Sequence, residues 1–230
     1  MNHLAPADQT LLARRRFLGL LSVGIAAAAL LCAPVQGFVT AASAASNTAQ
    51  KIADHFSSVT TMTGEFVQFG PRGEQTGGKF YLQRPGKVRF NYEAPSAYRV
   101  VSDGKSVAID NTKLNTMDLY PLSKTPLKLL LDDRIDLSGT KVKSVKEDTD
   151  LTTIQLADKS VFGNSTITMM FDPKSYELRQ WTITDAQGKD TTVMIFNVKQ
   201  GVSIDPSTFK VDYERNLELN APSRRENTNR

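Results

Sequence analysis

Apolar and polar residues alternate most regularly between Gly78 and Tyr92. Phe80 and Leu82 alternate with Lys79, Tyr81 and Gln83. After Arg84-Pro85-Gly86, Val88, Phe90 and Tyr92 alternate with Lys87, Arg89 and Asn91. A period of two predicts two strands, each with one apolar face, and Pro85-Gly86 supplies the turn between them. Both strands therefore aim large apolar side chains at a common side.

The pattern continues in both directions. Asn47 to Val59 carries Ile52, Ala53, Phe56 and Val59 at helical spacing, which predicts a short helix with Asp54 and His55 toward solvent. Thr63 to Phe69 follows as a strand, with Glu65, Val67 and Phe69 on one face and Phe66 and Gln68 on the other. Tyr98 to Ser102 and Ser106 to Asp110 flank the hairpin signal Asp103-Gly104, and Asn115 to Tyr120 adds a further strand. Ser123 to Asp133 breaks the alternation. Pro126 and the cluster Leu127, Leu129, Leu130 and Leu131 predict a short helix or helical loop, too apolar for a wet sheet face.

Strands resume at Lys141 to Glu147, Leu151 to Leu156, Ser165 to Phe171, Tyr176 to Thr184, Thr191 to Gln200 and Thr208 to Tyr213. Short polar turns between them favour antiparallel neighbours in one continuous meander. Roughly a dozen strands with two helical pieces leave much apolar strand surface with thin helical cover, and hence room for a cavity. No linker interrupts residues 46–215, which are expected to form one domain. Residues 216–230 turn polar and are expected to be a tail.

The amino terminus is different. Arg14, Arg15 and Arg16 precede an apolar run, no charge occurs between Arg16 and Lys51, and small residues gather at Ala42-Ser43-Ala44-Ala45. This order predicts a cleaved secretory signal peptide over residues 1–45, with the arginines before Phe17-Leu18 similar to a twin-arginine signal. An uncleaved anchor is the alternative, since Phe17 to Ala33 is nearly long enough to span a bilayer. Cys32 is the single cysteine, and the bulky Leu31 before it argues against lipidation. The mature chain can form no internal disulfide and no multi-cysteine metal site.

Charge and candidate chemistry narrow the function classes. Removing the three arginines and Asp8 lowers the formal charge from +4 to +2, a weak field for a nucleic-acid binder. His55 is alone in the body and cannot supply the ligands of a catalytic zinc. No Gly-x-Ser-x-Gly elbow or nucleophile–base pair is present. Asp132, Asp133 and Asp136 lack the spacing of a calcium loop, and acids at a helix end beside Arg134 are the simpler reading. Gly70 to Gly78 lacks the lysine-serine or lysine-threonine pair of a phosphate loop. The pattern therefore points to no enzyme, no metal and no cofactor. Trp181 lies in a strand of mixed face, suited to core packing or to a cavity rim.

Taken in order, four stretches resemble the periplasmic outer-membrane lipoprotein carrier family: Gly64-Glu65-Phe66-Val67-Gln68-Phe69; Leu82 to Phe90 with its Arg84-Pro85 pair, then Pro95; Ser102-Asp103-Gly104-Lys105 with Thr125-Pro126-Leu127; and Trp181 to Asp185 with Gly188. The resemblance spans about residues 47–213. It implies a mainly β fold, a curved antiparallel sheet forming an incomplete barrel with a short-helix lid over an apolar cavity. It further implies a monomeric periplasmic chaperone that takes acylated lipoproteins from an inner-membrane ATP-driven releasing complex to an outer-membrane receptor. Arg84 occupies the position of the family's lid latch; without that context a water-exposed strand-end arginine is the ordinary reading. Relatives often carry tryptophan where this chain has Phe90 and Tyr92.

The cargo's chemistry suits an adjustable cavity. Each buried acyl methylene contributes about 0.8 kcal/mol, so one chain of roughly 16 carbons supplies about 12 kcal/mol before costs. Complete burial of several chains would hinder release. Val67, Phe69, Phe80, Leu82, Val88, Phe90 and Tyr92 are expected to form walls, and Leu127, Leu129, Leu130 and Leu131 the cover. A carrier of free lipid or glycolipid, a secreted hydrolase and an envelope protein with a filled core are the alternatives.

Overall fold

The computed structural model describes residues 47–137, 141–160 and 163–221. The expected signal segment, Cys32 and the last nine residues of the expected tail lie outside them. The chain opens with helix α1 (Asn47–Ser58). Six strands follow: β1 (Thr61–Phe69), β2 (Gln75–Gln83), β3 (Lys87–Tyr92), β4 (Tyr98–Asp103), β5 (Ser106–Asn111) and β6 (Thr116–Pro121). A 3-10 turn at Leu122–Lys124 and helix α2 (Leu127–Leu131) lead to a second set. This comprises β7 (Val142–Glu147), β8 (Thr152–Ser160), β9 (Gly163–Phe171), β10 (Leu178–Thr184) and β11 (Asp190–Gln200), then helix α3 (Tyr213–Asn220).

All strand neighbours are antiparallel in one eleven-stranded sheet, ordered β6-β5-β4-β3-β2-β1-β11-β10-β9-β8-β7. The single continuous meander is corrected to two, joined where the first strand pairs with the last. The sheet is open, with β6 and β7 as its edges. It is also curved, because inward side chains from distant strands share one core: Phe80 and Val88 from the first half, Ile154, Met169 and Phe171 from the second. The segment 122–141, which joins the two edge strands, contributes Leu130, Leu131, Ile135 and Leu137 to that core. Helix α1 adds Ile52, Ala53 and Phe56 of the stripe its spacing predicts, with Ala49 beside them, while Val59 of that stripe packs from just beyond the helix end.

Two local features set which face points inward. On β1 the inward positions are Met62, Gly64, Phe66 and Gln68, so Phe66 is buried while Phe69 is 37% exposed. Gly64 makes room for the Phe80 ring: a Cβ there would lie 2.9 Å from both Phe80 Cε1 and Phe196 O. On β10 the pairing with β9 slips between Leu178 and Gln180, leaving Arg179 as the extra residue. Leu178 and Trp181 are therefore both buried despite opposite parity.

The C-terminal region departs from the expected strand at Thr208 to Tyr213. Asp205 accepts from Ser207 N, with Pro206 opening a 3-10 turn at Pro206–Phe209, and Asp212 accepts from Arg215 N to cap α3. These are helix-start signals in sequence terms. Helix α3 crosses the boundary expected at residue 215. Its Leu219 joins Val211 over Val101, Ala108 and Met117, a small apolar cluster on the outer face of β4, β5 and β6.

Candidate functional site: a lidded apolar cavity

Between the two halves of the curved sheet and the lid lies a cavity of about 330 Å³. Its walls are Phe90, Tyr92, Val100, Val107 and Ile109 from one half and Trp181, Ile183 and Val193 from the other, with Thr125, Pro126 and Leu127 above. Gln68, Ser165, Asp185 and Thr191 add polar groups. Aromatic rings form a continuous side. Phe66 meets Phe90 and Tyr92 edge-on at 5.1 and 5.0 Å between centroids, and Phe90 lies 6.1 Å from Trp181.

Arg84 sits in the turn between β2 and β3 and reaches the lid. Its Nη1 donates to Leu130 O at 2.6 Å and to Asp132 O at 3.2 Å. Its guanidinium carbon lies 4.3 Å from the centre of the Phe56 ring. The side chain is buried, and among the described residues its Nε and Nη2 have no hydrogen-bond partner. Burial pulls the guanidinium down to about 10, which still leaves it charged at neutral pH. The lid is also tied by its backbone: Gly86 N donates to Leu131 O at 2.9 Å, and Ile135 N donates to Ser57 Oγ at 3.0 Å. Lys128 and Asp132 pair within the lid itself.

Inside the cavity, Tyr92 Oη donates to Gln68 Oε1 at 2.7 Å. Burial pushes the Tyr92 phenol up to about 12, opposed by the Gln68 contact. His55 is exposed and meets the Tyr176 ring at 5.8 Å. Among the described residues, no three His, Cys, Asp or Glu side chains are placed to hold a metal, and no helix is long and apolar enough to cross a membrane.

The sequence profile of the family described as outer membrane lipoprotein carrier protein LolA matches residues 57–212. The chain belongs to this lipoprotein carrier family. A curated outer-membrane lipoprotein carrier protein from Methylococcus capsulatus is 26% identical over 179 residues, covering 74% of this chain and 86% of its own. One from Pseudomonas aeruginosa is 27% identical over 177 residues, covering 71% and 82%. Among solved structures, a LolA-superfamily protein from Nitrosomonas europaea gives a TM-score of 0.41 at 11% identity, covering 71% of this chain and 96% of its own.

In this carrier-family member the residues singled out by sequence divide into three groups. Phe90, Tyr92, Leu127 and Trp181 line the cavity, Trp181 as a buried wall residue rather than a rim. Phe80, Leu82, Val88, Leu129, Leu130 and Leu131 are buried in the packed core and do not line the cavity. Val67 and Phe69 are corrected outright: they lie on the outer side of β1, where Val67 borders a separate groove with Glu65 and Phe196. Their face had more apolar residues, but Gly64 and Gln68 on the other serve the interior. Missed altogether were Val100, Val107, Ile109, Ile183 and Val193, whose period-two spacing marks their strands without saying which face meets a void.

Proposed function

We propose that the protein is a non-enzymatic periplasmic chaperone that carries acylated lipoproteins from the inner to the outer membrane. One observation carries this reading: an apolar cavity whose cover is pinned to the barrel by few polar contacts, in a chain of the lipoprotein carrier family. Apolar walls take acyl chains without covalent chemistry. The lid's hydrogen bonds from Arg84 hold the closed form, and a membrane donor complex and an acceptor would load and unload the open one. At about 330 Å³ the closed cavity is at the small end of the roughly 300–1,000 Å³ that ligand sites span. Cargo with two or three chains therefore requires the lid to move.

The test is to isolate the mature protein from the cell envelope and identify its bound species by intact-complex mass spectrometry. Diacylated or triacylated polypeptides are expected. Free lipid without peptide would overturn the reading in favour of a lipid carrier. An empty protein is then offered a synthetic diacylated cysteine peptide, and failure to load it overturns the reading as well.

A further inference from the structure

The polar groups of the cavity are not equivalent. The Thr125 hydroxyl donates to Leu122 O, and Asp185 Oδ1 accepts from the backbone of its own turn at Gln187 and Lys189. Gln68 is different. Its Oε1 is occupied by Tyr92 Oη, which fixes the amide plane, and no acceptor among the described residues meets its Nε2. A hydrogen-bond donor is thus held in place on the cavity wall.

Its position along the barrel also matters. Thr61 at the start of β1 pairs with Gln83, next to Arg84, and Gln68 lies seven residues further along the strand. At about 3.3 Å per residue this is roughly 23 Å from the latch. Thr191 and Asp185 stand at the same end, since Gln68 pairs with Val193 and Ile183 with Thr191. One end of the cavity lies toward the latch, and the far end carries Gln68, Asp185 and Thr191.

We propose that Gln68, oriented by Tyr92, recognises the carbonyl of an acyl ester or amide, so that acyl chains enter tail-first with their carbonyl end at Gln68. This rests on the carrier reading and adds a point of selectivity within it. A ligand carbonyl offers the acceptor that Nε2 lacks, whereas plain hydrocarbon leaves that donor unpaired in apolar surroundings.

The experiment compares a dipalmitoyl cysteine tetrapeptide with its dihexadecyl ether counterpart, which has the same tails without the ester carbonyls. Wild-type protein is expected to bind the ester about threefold to tenfold tighter, the range one neutral hydrogen bond allows. In Gln68→Leu, and in Gln68→Glu, which keeps an acceptor for Tyr92, the ratio falls to about one whatever the absolute affinities. A ratio that persists in both variants overturns the proposal, as does a wild-type ratio of one. Binding of neither peptide would instead sink the carrier reading. If the variants misfold, isotope-edited infrared spectra of the ester bound to wild type still decide: a carbonyl stretch shifted to lower frequency relative to an apolar solvent supports the bond, and an unshifted one overturns it.

Discussion

Arg84 brings a full charge into the core yet bonds through only one of its three nitrogens. Such a group favours a contact that forms and breaks over one that maximises stability, because burial of the charge offsets what the bonds contribute. Each hydrogen bond from a charged donor contributes about 1.5–3 kcal/mol. Arg84→Leu should therefore speed amide exchange at Gly86 and Ile135, whose N–H groups bond across the lid seam, by about tenfold or more. Global stability should change far less, since the buried charge is removed as well. Unchanged exchange at both amides would show that Arg84 does not latch the lid. At Gly64 the constraint is steric. Gly64→Ala places a methyl group against Phe80 and Phe196 O and should cost about 1–3 kcal/mol in urea denaturation.

Tyr92 gives the residue scale its pH dependence. Its folded value of about 12 lies above the ordinary phenol value near 10, so the folded state retains the proton more firmly. That contribution is complete below pH 10 and disappears as pH rises toward 12. Arg84 acts oppositely in the same region, because its lowered value relieves a penalty as it deprotonates. The separation requires a variant: Tyr92→Phe should flatten the fall in stability between pH 10 and 12, followed by denaturation at several pH values. The Arg84-Pro85-Gly86 turn was legible because turn chemistry is local. The inward face of β1 was not, since between Thr63 and Phe69 the outer face offers Val67 and Phe69 while the inner one offers only Phe66 among Gly64 and Gln68. Nor could parity place Trp181, because a bulge at Arg179 resets it.

Among the elements, α3 shows most clearly how local signals compete. Thr208 to Tyr213 alternates like a strand, but Asp205-Pro206 and Asp212 cap helical turns on either side, and the caps decide. The helix is then secured from outside the barrel. Asp110, only 2% exposed, binds Arg99 at 2.5 Å and Arg215 at 2.7 Å, while Asn216 and Asn220 donate to Met117 O. Asp110→Ala strands two cations, though both are near enough to water to limit the loss to about 1–3 kcal/mol. We expect proteolysis near Tyr213 to accelerate in that variant and cavity ligand affinity to change little, since Asp110 faces away from the cavity. A large drop in affinity would mean that the outer cluster shapes the inner wall.

At the scale of the whole molecule, alternating strands with too little helical cover made an incompletely filled sheet legible before any geometry was known. Where the void lies depends on pairing β1 with β11 and on the packing of residues 122–137 against the sheet, both long-range facts that periodicity does not contain. The resulting cavity is small, and its sheet walls are held by continuous ladder hydrogen bonds, whereas the lid is held by a few seam hydrogen bonds and by the packing of Leu129, Leu130 and Leu131. Extra ligand volume should therefore be accommodated by the lid. Hydrogen-exchange mass spectrometry can resolve this with two ligands. Palmitate, with one chain, should leave Gly86 and Ile135 as protected as in the free protein or more so. A dipalmitoyl cysteine peptide should raise exchange at both while the strand amides of β2 and β3 stay protected. If the two-chain ligand binds and the lid amides remain as protected as in the free protein, the sheet, not the lid, is the wall that yields.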